Sequence, residues 1–155
     1  MQPIFVKNIH LSMVNTYYQL PLSTERILNK KESEYCTIKQ SIRGYIHLII
    51  TSHFGECTFD PSFGCSIWNI DFDNLTGTSK LRDTISESLS DSITSQEKRL
   101  KKVSIKVFIK QEEFTGSKSL NRIKKRVDIA VTGVIKQTNE SFTSKDSFFI
   151  APLSF

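Results

Sequence analysis

The sequence has little of what marks the commoner chemistries. Its three cysteines, Cys36, Cys57 and Cys65, are odd in number and show no CxxC spacing, so neither a disulfide framework nor a zinc site is expected, and they read as reduced thiols. The three histidines, His10, His47 and His53, are too scattered for a metal site and read as structural side chains. The longest apolar stretch, Tyr45 to Ile50, is interrupted by His47 and falls far short of the roughly 20 residues that cross a bilayer. Met1-Gln2-Pro3-Ile4-Phe5-Val6-Lys7 never develops a basic segment followed by an apolar run and a small-residue cleavage site. These absences predict a soluble, cytoplasmic protein with no export signal and no direct membrane insertion. No sequence repeat of fixed period is visible.

What is present suits one globular domain: 155 residues, 38% hydrophobic and 24% charged. The net charge of +5 admits an acidic partner. Basic residues nevertheless alternate with acidic ones except at Arg99 to Lys102 and Arg122 to Arg126. Two such clusters, with no aromatic stacking platform interleaved in the second, argue against nucleic acid as the partner.

Residues 1–34 hold no sustained period and read as an irregular N-terminal arm with one short strand; residues 35–155 are expected to form the domain proper. Thr37 and Gln40 make a capping-box pattern, and Ile42, Tyr45, Ile46, Ile49 and Ile50 follow at i, i+3, i+4, i+7 and i+8. That is an amphipathic helix, ended near Ser52 to Phe54 by Gly55. Burying those five side chains contributes ~7 to 15 kcal/mol before chain entropy is subtracted.

Residues 57–75 carry Phe59, Phe63, Trp68 and Phe72 around the turn residues Asp60-Pro61-Ser62-Phe63-Gly64, which predicts a small β-hairpin or folded loop. Gly77-Thr78-Ser79 opens a second helix with a narrow stripe of Leu81, Ile85, Leu89, Ile93 and Leu100. Its Ser/Thr-rich surface has poor helix propensity, so packing has to hold it.

Val103, Ile105, Val107 and Ile109 alternate with Ser104, Lys106, Phe108 and Lys110, the period-2 pattern of a half-buried strand with Phe108 as a misfit on its outer face. Val127, Ile129, Val131 and Ile135 repeat the alternation, residues 111–125 between them read as a long exposed loop, and Phe142 to Ala151 gives a last strand after the Thr138-Asn139-Glu140 turn. The fold class expected is α+β: two main helices packed on a C-terminal antiparallel β-sheet, with a small β-hairpin between the helices and the N-terminal arm.

Two stretches resemble a known family. Ser41-Ile42-Arg43, through Thr51-Ser52-His53-Phe54-Gly55-Glu56, into Pro61-Ser62-Phe63-Gly64 is similar to the helix, Gly-Glu turn and Pro-x-aromatic-Gly of the small baseplate-wedge proteins shared by contractile phage tails and type VI secretion systems, whose secretion member is TssE. Glu97-Lys98-Arg99-Leu100, followed by Val103 and Ile105, resembles that family's Glu-Pro-Arg-Leu signature, with lysine where proline is usual. Proline would end the helix at Glu97, whereas Lys98 permits another turn, which would set Glu97 and Arg99 on different sides with no pairing between them.

The resemblance covers roughly residues 35–151 and implies a structural role without catalytic residues or cofactor. It implies a subunit that joins a wedge of TssF-like and TssG-like proteins and other baseplate subunits, and nucleates the sheath through its C-terminal strands. The partner-binding residues it implies are Glu56, Pro61, Phe63, Glu97, Arg99, Leu100, Val127, Ile129 and Val131, and it places the baseplate near the inner membrane. Lysozyme-like labels attach to this family, so Glu56 and Asp60 stand as the alternative, a peptidoglycan-cleaving carboxylate pair. Two acids in one tight turn do not set the separation across a sugar ring. A basic nucleic-acid adaptor is the other alternative.

Overall fold

The computed structural model describes residues 17–69, 77–115 and 121–150. Residues 1–16 of the expected arm, with His10, lie outside these, as do Phe72, Ala151 and residues 116–120. The chain divides into two compact units, Met1–Gly44 and Tyr45–Phe155, so the break falls inside a helix.

In the first unit, β1 (Tyr17–Tyr18) and β2 (Tyr35–Cys36) pair antiparallel, with the rings of Tyr18 and Tyr35 stacked 5.0 Å apart. Between them lies a single helical turn, α1 (Thr24–Leu28), capped by the Ser23 hydroxyl. Arg26 closes the connection by donating to the Glu32 carbonyl and the Glu34 carboxylate. The unit ends in the first turns of α2 (Ile38–Thr51). Its capping box forms as expected: the Gln40 side-chain oxygen accepts from the Thr37 N–H at 3.0 Å, and the Gln40 N–H donates to the Thr37 hydroxyl at 3.3 Å. Along α2, Ile42, Ile46, Ile49 and Ile50 are buried and Tyr45 is half-buried.

The second unit is built on a three-stranded antiparallel sheet in the order β3 (Leu100–Thr115), β4 (Asn121–Ile135), β5 (Ser141–Ile150). α3 (Thr78–Gln96) packs on β3. Its stripe of Leu81, Ile85, Leu89 and Ile93 is buried, which contributes ~6 to 12 kcal/mol gross and offsets the poor propensity of its serines and threonines.

On the sheet's inner face Val107, Val127, Ile129, Val131, Phe142 and Ser144 are buried. The period-2 reading therefore holds, with Phe108 exposed on the opposite face. Three expectations need correction. Of the hairpin or folded loop expected over 57–75, the described residues 57–69 form the folded loop and no β-hairpin: they hold turns, one isolated bridge between His53 and Cys65, and a 3-10 turn at Ile67–Asn69. The polar stretch 111–125 is mostly strand, because the ladder runs on to Thr115 and resumes at Asn121; cross-strand backbone pairing does not need apolar side chains. Leu100 is the first residue of β3 and no part of the α3 stripe.

β3 is bulged between Lys101 and Ser104, where Lys102 takes a φ of +54°. Lys101 meanwhile donates its ammonium to the Asn139 side-chain oxygen at 2.6 Å, tying the start of β3 to the β4–β5 turn.

Candidate functional site

The two motifs meet in the second unit, at a corner formed by the loop after α2 and the turn after α3. The loop is fixed from within. Gly55, at φ +83°, donates its N–H to the Pro61 carbonyl at 2.9 Å. The Glu56 carboxylate accepts from the His53 N–H at 3.0 Å, and the Asp60 carboxylate accepts from the N–H and the hydroxyl of Ser62.

Gly64 takes φ +116°, and a Cβ there would lie 2.6 Å from the Ser52 carbonyl oxygen, so no other residue fits. That close approach lets the Cys65 N–H donate to the same oxygen at 3.0 Å. The last turn of α2 is capped from the same loop: the Ile50 carbonyl accepts from the Trp68 indole N–H at 3.0 Å and from the Cys65 thiol at 3.4 Å. Burial pushes the Cys65 thiol up from its ordinary pKa, against a smaller lowering by a backbone hydrogen bond at Ile67. Cys65 is therefore an unreactive packing residue.

α3 ends at Gln96, and Glu97 leaves helical geometry at φ −93°, ψ 82°. The extra turn permitted by Lys98 does not form, because the Glu97 side chain stops the helix itself. One carboxylate oxygen accepts from the Arg99 backbone N–H at 2.9 Å and from its Nε at 2.8 Å; the other accepts from Nη2 at 2.5 Å. The carboxylate thus supplies the local closure of the turn. Glu97 and Arg99 pair with each other, contrary to the helical expectation. The Glu97 side chain is 1% exposed and that of Arg99 30%.

Tyr45 joins the two motifs. Its ring lies 5.7 Å from that of Phe63 and carries the Arg99 guanidinium 5.8 Å from its centroid. Burial, and then the Glu97 carboxylate, hold the Tyr45 hydroxyl above its usual pKa; Arg99 lowers it and Asp60 raises it by smaller amounts. Gln96 completes the corner by donating its amide to the Ser62 carbonyl at 2.6 Å. Sequence reading put Tyr45 in the core stripe and did not single out Gln96, because only the folded loop brings Phe63 and Ser62 over them.

Of the residues implied as partner-binding, Arg99 is partly exposed at the corner, and the other eight fall into two groups. Glu56 and Pro61 are exposed on the loop and Phe63 is half-buried beneath it. Glu97 and Leu100 are buried, as are Val127, Ile129 and Val131, which sit on the central strand β4 with both neighbours in place. The side chains of these five face the interior, and it is β3 and β5 that carry the sheet's edges. Phe59 stands on the same loop as Glu56 and Pro61, 98% exposed. Glu56 and Asp60 lie in one exposed turn, each bound to its own loop backbone. Among the described residues no group of three His, Cys, Asp or Glu side chains is placed to hold a metal ion.

Comparison with known proteins decides the family. The sequence profile of baseplate wedge protein gp25 matches residues 36–140, which includes both motifs and the corner they form. The chain belongs to the gp25 family of baseplate wedge proteins. A relative described as baseplate wedge protein gp25 of Enterobacteria phage T4 is 30% identical over 79 residues, which cover 51% of this chain and 55% of the relative. The chain thus matches about half the length of that curated relative. The same fold occurs in a crystal structure from Geobacter sulfurreducens described as a putative tail lysozyme, with a TM-score of 0.56, 18% identity, and coverage of 79% of this chain and 100% of that one. At that identity the likeness is one of fold and carries no activity across.

Proposed function

We propose that the chain is a structural baseplate subunit of a contractile injection machine, of the TssE type, which joins a wedge of TssF-like and TssG-like proteins and nucleates sheath assembly through its C-terminal strands. In this reading it works in the cytoplasm, on a baseplate docked near the inner membrane. The observation that supports it best is the corner itself. Two family motifs are spent on holding one loop rigid, so that Glu56, Phe59 and Pro61 project from a fixed base. A rigid exposed aromatic costs little ordering entropy on docking, which is how interfaces obtain affinity from few residues.

The sheet adds a second means of attachment. β5 is an edge strand, with one row of backbone groups that another chain can extend in register. Buried Val127, Ile129 and Val131 then serve by holding β4 firmly beneath it, and Glu97, Arg99 and Leu100 by holding the corner.

Replacing Phe59 with serine together with Glu56 with lysine tests the loop. The double variant is expected to fold, to melt a little below the parent because the Glu56 hydrogen bond to the His53 N–H is lost, and to be missing from purified particles. A folded double variant incorporated at the parental level overturns the loop assignment.

A further inference from the structure

The outer face of the sheet is left over from this account. Its described positions on β3, β4 and β5 are all exposed or half-exposed, so no helix of the described chain lies over it. Phe108, the misfit of the period-2 pattern, is 54% exposed there and Phe149 is 50% exposed. Large aromatics exposed in the middle of one edge strand and near the end of the other are costly unless something covers them.

Around them, among the residues whose side chains are described, stand four cations, Lys106, Lys110, Arg126 and Lys145, against the outer-face carboxylate of Asp128, which Arg126 engages at 2.8 Å. A concavity of about 360 Å³ opens among Phe108, Arg126, Asp128, Ala130, Lys145 and Asp146, the last of which is engaged by His47 at 2.8 Å. It has an apolar wall, a basic rim and an edge strand beside it. That is the shape for one inserted apolar side chain flanked by carboxylates.

We propose that this face docks an acidic segment of another protein, which places an aromatic or branched side chain against Phe108 and its carboxylates on Lys106, Lys110 and Lys145. A second copy of this chain is disfavoured, since its net charge is +5 and like-charged faces repel. Nucleic acid is disfavoured because the Arg126 guanidinium, 6.0 Å from the Phe149 centroid, occupies a ring face that a base would need. The proposal rests on the reading of the chain as an assembly subunit and names the chemistry of one partner.

The test is a titration of the whole chain with a fluorescein-labelled peptide in which glutamate alternates with phenylalanine and valine, beside the same peptide with lysine for glutamate, and a labelled oligothymidylate. The glutamate peptide alone is expected to bind, more weakly as salt rises, with an affinity about tenfold lower for Phe108→Ser and for Lys145→Glu. Lys145 is exposed on an edge strand, so its variant keeps the test open if Phe108→Ser fails to fold. No binding of the glutamate peptide, equal binding of the lysine peptide, preference for the oligonucleotide, or binding unchanged in both folded variants overturns the proposal. The titration needs no particle: failure here while the wild-type chain still enters particles discards this face alone, whereas absence from particles discards the assembly reading.

Discussion

Glu97 and Arg99, two positions apart, satisfy each other across the corner between α3 and β3, with the carboxylate accepting three N–H groups of one residue. The pair is a structural device first, because the carboxylate is buried.

Removing the arginine strands that carboxylate. Arg99→Ala is expected to cost about 2 to 4 kcal/mol, below the upper range for a broken buried pair because Arg99 keeps contact with water. Glu97→Ala is expected to cost less than Arg99→Ala, and the double variant less than the sum of the two. Urea denaturation followed by the fluorescence of the single tryptophan measures all three; strictly additive losses would show that the pair is not coupled.

The two loop glycines separate conformational from steric strain. Gly55 has a positive φ in open space, so Gly55→Ala should cost about 1 to 2 kcal/mol. Gly64→Ala adds a collision with the Ser52 carbonyl and should cost about 3 kcal/mol or more. Equal losses at the two positions would contradict the close approach.

Tyr45 gives the corner a pH signature. Its pKa is raised in the folded state by burial and by Glu97, so its contribution is fully present below the unfolded value of about 10 and is lost as pH rises through the higher folded value. Stability of the parent should therefore fall more steeply above about pH 10 than that of Tyr45→Phe. Parallel denaturation curves for the two from neutral pH to alkali would contradict this.

The Trp68 indole N–H caps the α2 terminus through Ile50. Trp68→Phe keeps the contact with Phe148, whose ring lies 5.5 Å away, but loses the hydrogen bond, at an expected cost of about 1 kcal/mol in thermal or urea unfolding followed by circular dichroism.

Periodicity carried most of the fold. The stripes Ile42 to Ile50 and Leu81 to Ile93, and the alternations at 103–109 and 127–135, are local patterns that burial enforces, and each produced its element. Side-chain chemistry overrode local propensity elsewhere. Lys98 permits a helix, yet the Glu97 carboxylate turning onto Arg99 ends it. The charged residues on either side of 116–120 look like a loop, yet antiparallel pairing carries the strands through them. The corner was legible as two motifs but not as one site, since the proximity of Tyr45, Phe63 and Arg99 depends on how the loop at 52–64 folds back, and no spacing rule encodes that.

The most direct test of the central claim is affinity isolation of the tagged chain from its native cells at moderate salt, with mass spectrometry of what co-purifies. The account predicts wedge and sheath proteins in the eluate. Nucleic acid or peptidoglycan fragments recovered without them would contradict it.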